Sequence, residues 1–593
     1  MHGPVRPFVP GALACAVAAA IAAAPATANV GVDTSALTDA VTAEGILEHM
    51  DAFYSFAEDD PNGNREASGD GYIDSALYVS RLMTEAGYDV DLQVFPYTFF
   101  EDSTPPVLEI AGAGSIDDGA EDEADDAAEP PADPEGGDGG EDDPEAGEDD
   151  DIDPDAGEGD EPVTGGTDTG EEEGDGGPSA DAFEPDSPEG FTSMTYSGSG
   201  DVTAPVTAVD LQLPPGAEAN SSTSGCEAED FDGFPEGNIA LVQRGACAFF
   251  TKAVNAEAAG ASGVVVFNEG QEGRIEAFGG TLGEPGVTIP VVAAAFSVGE
   301  RLAVEGTVAR LAVDSITEDR ISANVLAESP VGRDDRTLVV GAHLDSVPEG
   351  PGYQDNGSGS ALLIEIAQQL SELGYLDGGD AALNNRTRFA WWGAEELGLL
   401  GSEYYVANLD EQELGNIQVN LNFDMIGSPN FVRFVYDGDG SLADVPAEGA
   451  GPQGSAFVEY VFNDWFEQAG LAAEPTAFDG RSDYGPFIAA GIPAGGLFTG
   501  AEEIKTDEQV AIYGGEAGIA YDPCYHEACD TIGNVSEQAL DEMGDAAANA
   551  VLVFASNALP VVGNQAKALA KLDGTARAGS RTVMDWRGNR LMR

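Results

Sequence analysis

The stretch that most constrains the fold is Thr337 to Val340, an apolar run that leads straight into Gly341-Ala342-His343-Leu344-Asp345-Ser346. Ten residues after Asp345 comes Asp355-Asn356-Gly357-Ser358-Gly359, a glycine-rich turn that opens an amphipathic stretch. Buried run, polar turn and amphipathic run in that order read as strand, site and helix. In an open α/β sheet such residues lie at the carboxyl end of the strand, where ligands are held. One imidazole and one hard carboxylate suit Zn²⁺ or a similar divalent ion, so His343 and Asp355 read as metal ligands. Asp345 is close enough to orient His343 from behind.

Three downstream pieces extend the set. Arg388 to Trp392 is a strand-like run that ends in Gly393-Ala394-Glu395-Glu396. Adjacent residues on an extended segment point to opposite sides, so one carboxylate can bind metal while the other faces a reacting water. Val419 to Gly427 reads as a strand carrying a single acid, Asp424, and Pro523 to Asp530 places His526 in a tight loop between Cys524 and Cys529. The chain has only four histidines: His2, His49, His343 and His526. Two of them stand among strand-end acids, which is a poor fit to ordinary core or surface histidines.

The motifs resemble those of the secreted bacterial two-zinc aminopeptidases, a family that also includes glutamate carboxypeptidase and the metal-free transferrin receptor ectodomain. The matching pieces are HLDS at 343–346, DNGSGS at 355–360, WGAEELGLLGSEYY at 392–405, NFDMIG at 422–427, GRSDYGPF at 480–487 and CYHEACD at 524–530. The resemblance implies an α/β fold, a mixed sheet sandwiched by helices. It makes His343, Glu396, Asp424 and His526 terminal ligands and Asp355 the bridge between two Zn²⁺ ions. It makes Glu395 the general base and Tyr525 the group that steadies the oxyanion. Glu395 and Asp424 are the nearest acceptors for a free substrate amine, hence an aminopeptidase acting on peptide or protein N-termini. Arg481 lies at a position near bound substrate in the resembling enzymes; an ion pair with Asp479 or Asp483 is the equal alternative.

The segment 1–28 reads as an export signal: Arg6, an apolar run from Gly11 to Ala24 too short to span a bilayer, and Ala26-Thr27-Ala28 as cleavage site. A lipid-modified Cys15 is a weaker reading. The mature chain is expected to be secreted or periplasmic, monomeric and without a membrane span. Four cysteines then remain, and local pairing is expected, Cys226 with Cys247 and Cys524 with Cys529, over a four-cysteine zinc site. With 109 acids against 23 bases and a formal net charge of −86, the chain repels nucleic acid and anionic membranes. Only four of the bases are lysines, a scarcity that fits a salty habitat.

Helical spacing marks Ala43 to Phe56 and Ile73 to Gly87, and a strand follows near Val90 to Tyr97; this stretch resembles the family's N-terminal helices, which assigns 34–104 to the catalytic domain, resuming at 316–557. The region between divides in two. Asp117 to Gly190 holds 33 acids in 74 residues and no Lys or Arg, so it cannot bury a core. Weak Ca²⁺ binding at Asp149 to Asp153 is its functional reading, behind that of a solvated insert, because the spaced ligand loop is missing. Next, 239–269 alternates strand and helix and resembles the protease-associated domain found in exported peptidases. A β-rich α/β domain is therefore expected over 105–315, with Pro105 to Leu108 as its first strand, the acidic stretch 116–190 as a loop, and a role in gating substrate or as a structural lid. The tail 558–593 is basic.

Other readings stay open at this stage. A carboxypeptidase needs a basic cluster for the terminal carboxylate, and Arg481 stands alone; a glutaminyl cyclase uses one zinc, whereas five ligand positions are filled. A non-catalytic peptide-binding protein has no need of Glu395. A serine hydrolase lacks its Gly-x-Ser-x-Gly elbow.

Overall fold

The computed structural model describes residues 32–111, 182–271, 273–379, 381–442 and 451–557. The expected export signal with Cys15, the calcium reading at Asp149 to Asp153 and the basic tail lie outside the described residues. Among the described residues thirteen strands form one hydrogen-bonded sheet. In chain order they are β1 (Asp89–Ile110), β2 (Phe191–Ser193), β3 (Gly200–Ala208), β4 (Ile239–Gln243), β5 (Gly263–Phe267), β6 (Val291–Ala294) and β7 (Val308–Glu328). The series continues with β8 (Arg333–His343), β9 (Asn385–Trp392), β10 (Ile417–Phe423), β11 (Phe434–Tyr436), β12 (Glu474–Thr476) and β13 (Ala494–Phe498). Across the sheet the order is β12-β11-β13-β10-β8-β9-β7-β3-β4-β5-β6-β2, with β1 alongside β7.

Strand β7 belongs to both halves. Val325 to Glu328 pair with β9, and Val308 to Val313 pair with β3. Strand β1 runs antiparallel beside it for its whole length. The sequence predicts two separate strands, at Val90 to Tyr97 and Pro105 to Leu108, and the structure joins them into one strand of 22 residues. Register shifts between Asp102 and Val107 let the ladder pass Pro105 and Pro106, which have no N–H to donate. The expected boundaries near 104 and 316 therefore lie inside a continuous two-stranded ribbon.

In the larger half, β8, β9, β10 and β13 are parallel neighbours, and the antiparallel β7 and β11 flank them. The mixed α/β architecture matches the sequence expectation. Alternating side chains serve two cores, because helices cover both faces. Leu338, Val340 and Phe389 meet the helices Ala43–Asp59, Asp70–Glu85, Gly357–Glu372 and Glu537–Ser556 through Phe53, Val79, Leu362 and Val551. Val339 and Trp392 meet Tyr405 and Phe487 on the other side. Three of these helices start at side-chain caps that satisfy otherwise unpaired backbone donors: Thr42, Asn356 and Ser536 accept from Gly45, Gly359 and Ala539.

In the smaller half, β4, β5 and β6 are parallel. Helix Phe249–Ala258 packs on Val242, Val264 and Val266, and Val298 and Leu302 pack on Leu241 and Val265. Both expected cysteine pairs are bonded, Cys226 to Cys247 and Cys524 to Cys529. Among the described residues no helix is long and apolar enough to cross a membrane.

Candidate active site

Parallel strands bring their carboxyl ends together, and here those ends deliver the acids. His343 is the last residue of β8, Glu395 and Glu396 follow β9, and Asp424 follows β10. Asp355 precedes the helix capped by Asn356, and the peptide bond between them is cis. Three site loops turn through left-handed residues other than glycine: Ala394 just before Glu395, Met425 just after Asp424, and His526 itself. Such backbone costs on the order of 1–3 kcal/mol at each position and persists where surrounding structure fixes it.

The ligand atoms fall into two groups that share one carboxylate. His343 Nε2 lies 3.2 Å from Asp355 Oδ1 and 3.2 Å from Asp424 Oδ1. His526 Nε2 lies 3.3 Å from Asp355 Oδ2 and 3.1 Å from Glu396 Oε2. Glu395 is buried within reach of His343 and Glu396. The two groups differ in exposure: the His343 side chain is 2 % exposed and that of His526 is 40 % exposed.

The donor chemistry fits a pair of divalent cations. His343 Nδ1 sits 3.2 Å from the Asp345 carbonyl oxygen, which can only accept, so Nδ1 carries the hydrogen and Nε2 turns a lone pair toward the carboxylates. Glu396 Oε1 is buried with no hydrogen-bond partner. Burial pushes the Glu395 carboxyl well above the usual carboxylate range. Burial also works against a charged His526, but Glu396 and Asp355 outweigh it and hold the imidazole at about 11. Acids packed this closely need positive charge among them, and imidazole with carboxylate oxygen is a donor set for zinc.

Behind the ligands stands a layer of hydrogen bonds. Asp345 accepts from the backbone N–H of Glu395 and Glu396 at 3.2 and 3.3 Å, so one carboxylate fixes both. Ser482 donates to Asp424 Oδ2 at 2.5 Å and accepts from Asn422 at 2.7 Å. Arg65 is fully buried and its guanidinium donates to the carbonyls of Leu344, Pro351 and Gly352, tying the His343 loop to the Asp355 loop. Burial draws its pKa down to about 10 against the pull of Asp345 and Asp530, which leaves it charged at neutral pH.

The ligands open into a cleft that Met425, Tyr436, Phe498 and Ala501 also line. Tyr436 stacks on Phe478 at 5.1 Å and meets Tyr484 at 4.7 Å, which fixes its ring. Tyr525 and Arg481 line the cleft as well, and Arg481 donates to the Tyr525 hydroxyl at 3.0 Å. The carboxylate paired with Arg481 is Glu502, at 2.7 Å, rather than Asp479 or Asp483. Asp479 instead accepts the backbone N–H of Arg481.

Of the residues singled out from sequence, His343, Asp355, Glu395, Glu396, Asp424, His526, Tyr525 and Arg481 line one cleft. Asp345 lies behind it, and the Cys524–Cys529 bridge closes the His526 loop. The Cys226–Cys247 bridge is in the smaller half, and among the described residues none of that half lines the cleft. His49 is structural, held between the Tyr78 hydroxyl at 2.7 Å and Gln368 at 3.1 Å. Sequence reasoning assigned no role to Arg65, Ser482, Glu502 or Asp530. Ser482 and Asp530 lie inside motifs already noted, and Arg65 is one of few bases in the chain, but nothing local marks what they touch.

Residues 324–551 match peptidase family M28 and residues 202–302 match the PA domain. The chain is 41% identical over 492 residues to an aminopeptidase of Pseudomonas aeruginosa strain UCBPP-PA14, covering 82% of this chain and 76% of that relative. It is 44% identical over 325 residues to leucine aminopeptidase 2 of Trichophyton rubrum, covering 54% of this chain and 62% of the relative. Among solved structures, an aminopeptidase from Aneurinibacillus sp. strain AM-1 superposes with a TM-score of 0.57 at 22% identity. That match covers 90% of this chain and 98% of the other and shows a shared fold. A site built at the carboxyl edge of a mixed sheet, a second parallel-stranded unit carried on one ribbon, and this degree of identity place the chain in peptidase family M28, with a PA domain inserted.

Proposed function

We propose that the protein is an exported aminopeptidase that acts as a monomer and removes N-terminal residues from peptides, with two zinc ions held in the His343–Asp355–Asp424 and Asp355–Glu396–His526 groups. The observation that carries this reading is Asp355, whose two oxygens each face a different histidine, at 3.2 and 3.3 Å. Every ligand comes from one chain, so no partner is needed to complete the site. The bonded cysteine pairs and the apolar start of the sequence support export. In the proposed division, 34–104 and 316–557 form the catalytic domain and 105–315 the inserted one.

Zinc bound there supplies a water of lowered pKa and polarises the scissile carbonyl. Glu395 takes the proton of the attacking water and returns it to the leaving amine, a role that suits a buried carboxyl beside His343. Tyr525, its hydroxyl held by Arg481, donates to the oxyanion. Asp424 and Glu395 accept the substrate ammonium. Among the described residues Arg481 is the Lys or Arg that lines the cleft, and its pairing with Glu502 favours amino- over carboxypeptidase action.

Hydrolysis of aminoacyl anilides, free and N-acetylated, tests the proposal before and after chelation and zinc return. Metal-dependent turnover of the free-amine forms alone is expected, falling about 10²–10⁴-fold in Glu395→Gln with zinc retained. Equal turnover of the acetylated forms, or an active Glu395→Gln protein, overturns it.

A further inference from the structure

The layer behind the ligands reaches both groups. Asp345 and Ser482 serve His343, Glu395, Glu396 and Asp424. The remaining pair, Asp355 and His526, comes from loops 171 positions apart, and a different buried residue joins them. Asp530 is 2 % exposed. Its Oδ2 accepts the Asp355 N–H at 3.0 Å and its Oδ1 the Gln354 N–H at 2.9 Å. Asn534 donates to Asp530 Oδ1 at 3.0 Å and, with the same nitrogen, to Asp522 at 2.9 Å. Asp522 in turn accepts the Cys524 N–H at 2.9 Å, at the start of the disulfide-closed loop that presents His526. The chain of contacts Asp355–Asp530–Asn534–Asp522–Cys524 therefore spans the gap between the shared carboxylate and the exposed histidine.

Building on the two-zinc reading, we propose that Asp530 is the positioning residue for the Asp355–Glu396–His526 metal, and that its loss releases that metal while the His343–Asp355–Asp424 metal stays. The reason is geometric. Every hydrogen bond to the Asp530 carboxylate comes from a donor, Gln354 N–H, Asp355 N–H or Asn534, so the side chain must be a group that only accepts. An amide there sets a donor against a donor and frees the Asp355 backbone. His526 is the ligand with least packing around it, so this group loses its geometry first. His343 and Asp424 keep their own supports. Groups of this kind behind metal ligands are worth about 10- to 100-fold in affinity.

The experiment is zinc content per full-length chain, measured by atomic emission after equilibration in zinc buffers of decreasing free concentration, with thermal unfolding of the zinc-free chains as the fold control. Wild type is expected to hold two equivalents. Asp530→Asn is expected to unfold near the wild-type temperature yet lose one equivalent at a free zinc concentration at least about tenfold higher, the other unchanged. Ser482→Ala is expected to weaken the other equivalent instead. Should Asp530→Asn not fold, Asn534→Ala is read in its place, since it leaves Asp530 on the Asp355 backbone and removes the amide that joins Asp530 to Asp522. Two equivalents released together, or with wild-type resistance in the folded variant, overturn the inference alone. A wild-type chain that takes up no zinc defeats the two-zinc reading, and the inference with it.

Discussion

The protein contains two parallel-stranded layers on one ribbon, and their carboxyl edges are chemically opposite. After β4 and β5 come Arg244, Asn268 and Glu269, and each is held by a residue of the 274–278 loop. Glu269 binds Arg274 at 2.9 Å, Asn268 donates to the Glu276 carbonyl, and Arg244 lies 4.6 Å over the Phe278 ring. After β8, β9 and β10 come His343, Glu395, Glu396 and Asp424, whose acids converge with no Lys or Arg in the group among the described residues. Both edges present loops to the same kind of crevice. Topology provides the place, and only the residues set there make it reactive.

The disulfides sharpen the contrast most. By loop-closure entropy the Cys226–Cys247 bridge, 21 residues apart, is worth about 3 kcal/mol. The Cys524–Cys529 bridge, 5 residues apart, is worth about 2 kcal/mol. Function is expected to rank them in reverse. Replacing Cys524 and Cys529 by Ser loosens the His526 loop and lowers kcat/KM about 10- to 100-fold with loss of zinc. Replacing Cys226 and Cys247 lowers the thermal midpoint and leaves kcat/KM within about twofold. Equal losses of kcat/KM in the two variants break the distinction between the halves.

Excision of the smaller half is the next largest test. Asp102 stands opposite Ser315 in the ribbon, so an Asn-Gly turn between them closes a hairpin and removes 103–314. Because none of the described residues in that half lines the cleft, kcat/KM for aminoacyl anilides is expected to stay within about threefold. A tenfold or larger change assigns that half a direct part in substrate handling.

The smallest effect concerns a buried charge with no part in the chemistry. Lys252 is fully buried and donates to the Ser224 carbonyl. Burial pulls its pKa down to about 8. Between that value and the unfolded value near 10.4 the unfolded chain holds a proton that the folded chain lacks, so stability rises with pH across this window. The full gain is about 3 kcal/mol, absent below pH 8. Unfolding followed by a probe in the smaller half is expected to show that rise in wild type and not in Lys252→Met, with kcat/KM the same in both. Parallel curves for the two chains remove Lys252 as its source.

Much of the site was legible because its parts are local. A strand end followed by a turn fixes where His343, Glu395 and Asp424 stand, and each sits in a short run whose apolar lead-in announces the strand. The helices at Ala43–Asp59 and Gly357–Glu372 were legible through spacing, and the cysteine pairs through proximity in sequence. The β1–β7 ribbon was hidden, since Pro96, Pro105 and Pro106 interrupt a strand that stays continuous only because a partner pairs with it throughout.

The sequence by itself determined the residue types at the strand ends, the α/β class and the inserted unit, since periodicity and composition are properties of neighbouring residues. Tertiary structure alone decided what those residues meet. Arg65 reaches carbonyls 279 to 287 positions away, Arg481 finds Glu502, and Asp530 takes the backbone of Asp355. Backbone N–H and C=O groups are the same at every position and carry no pattern, so contacts made through them exist only once the fold has placed them.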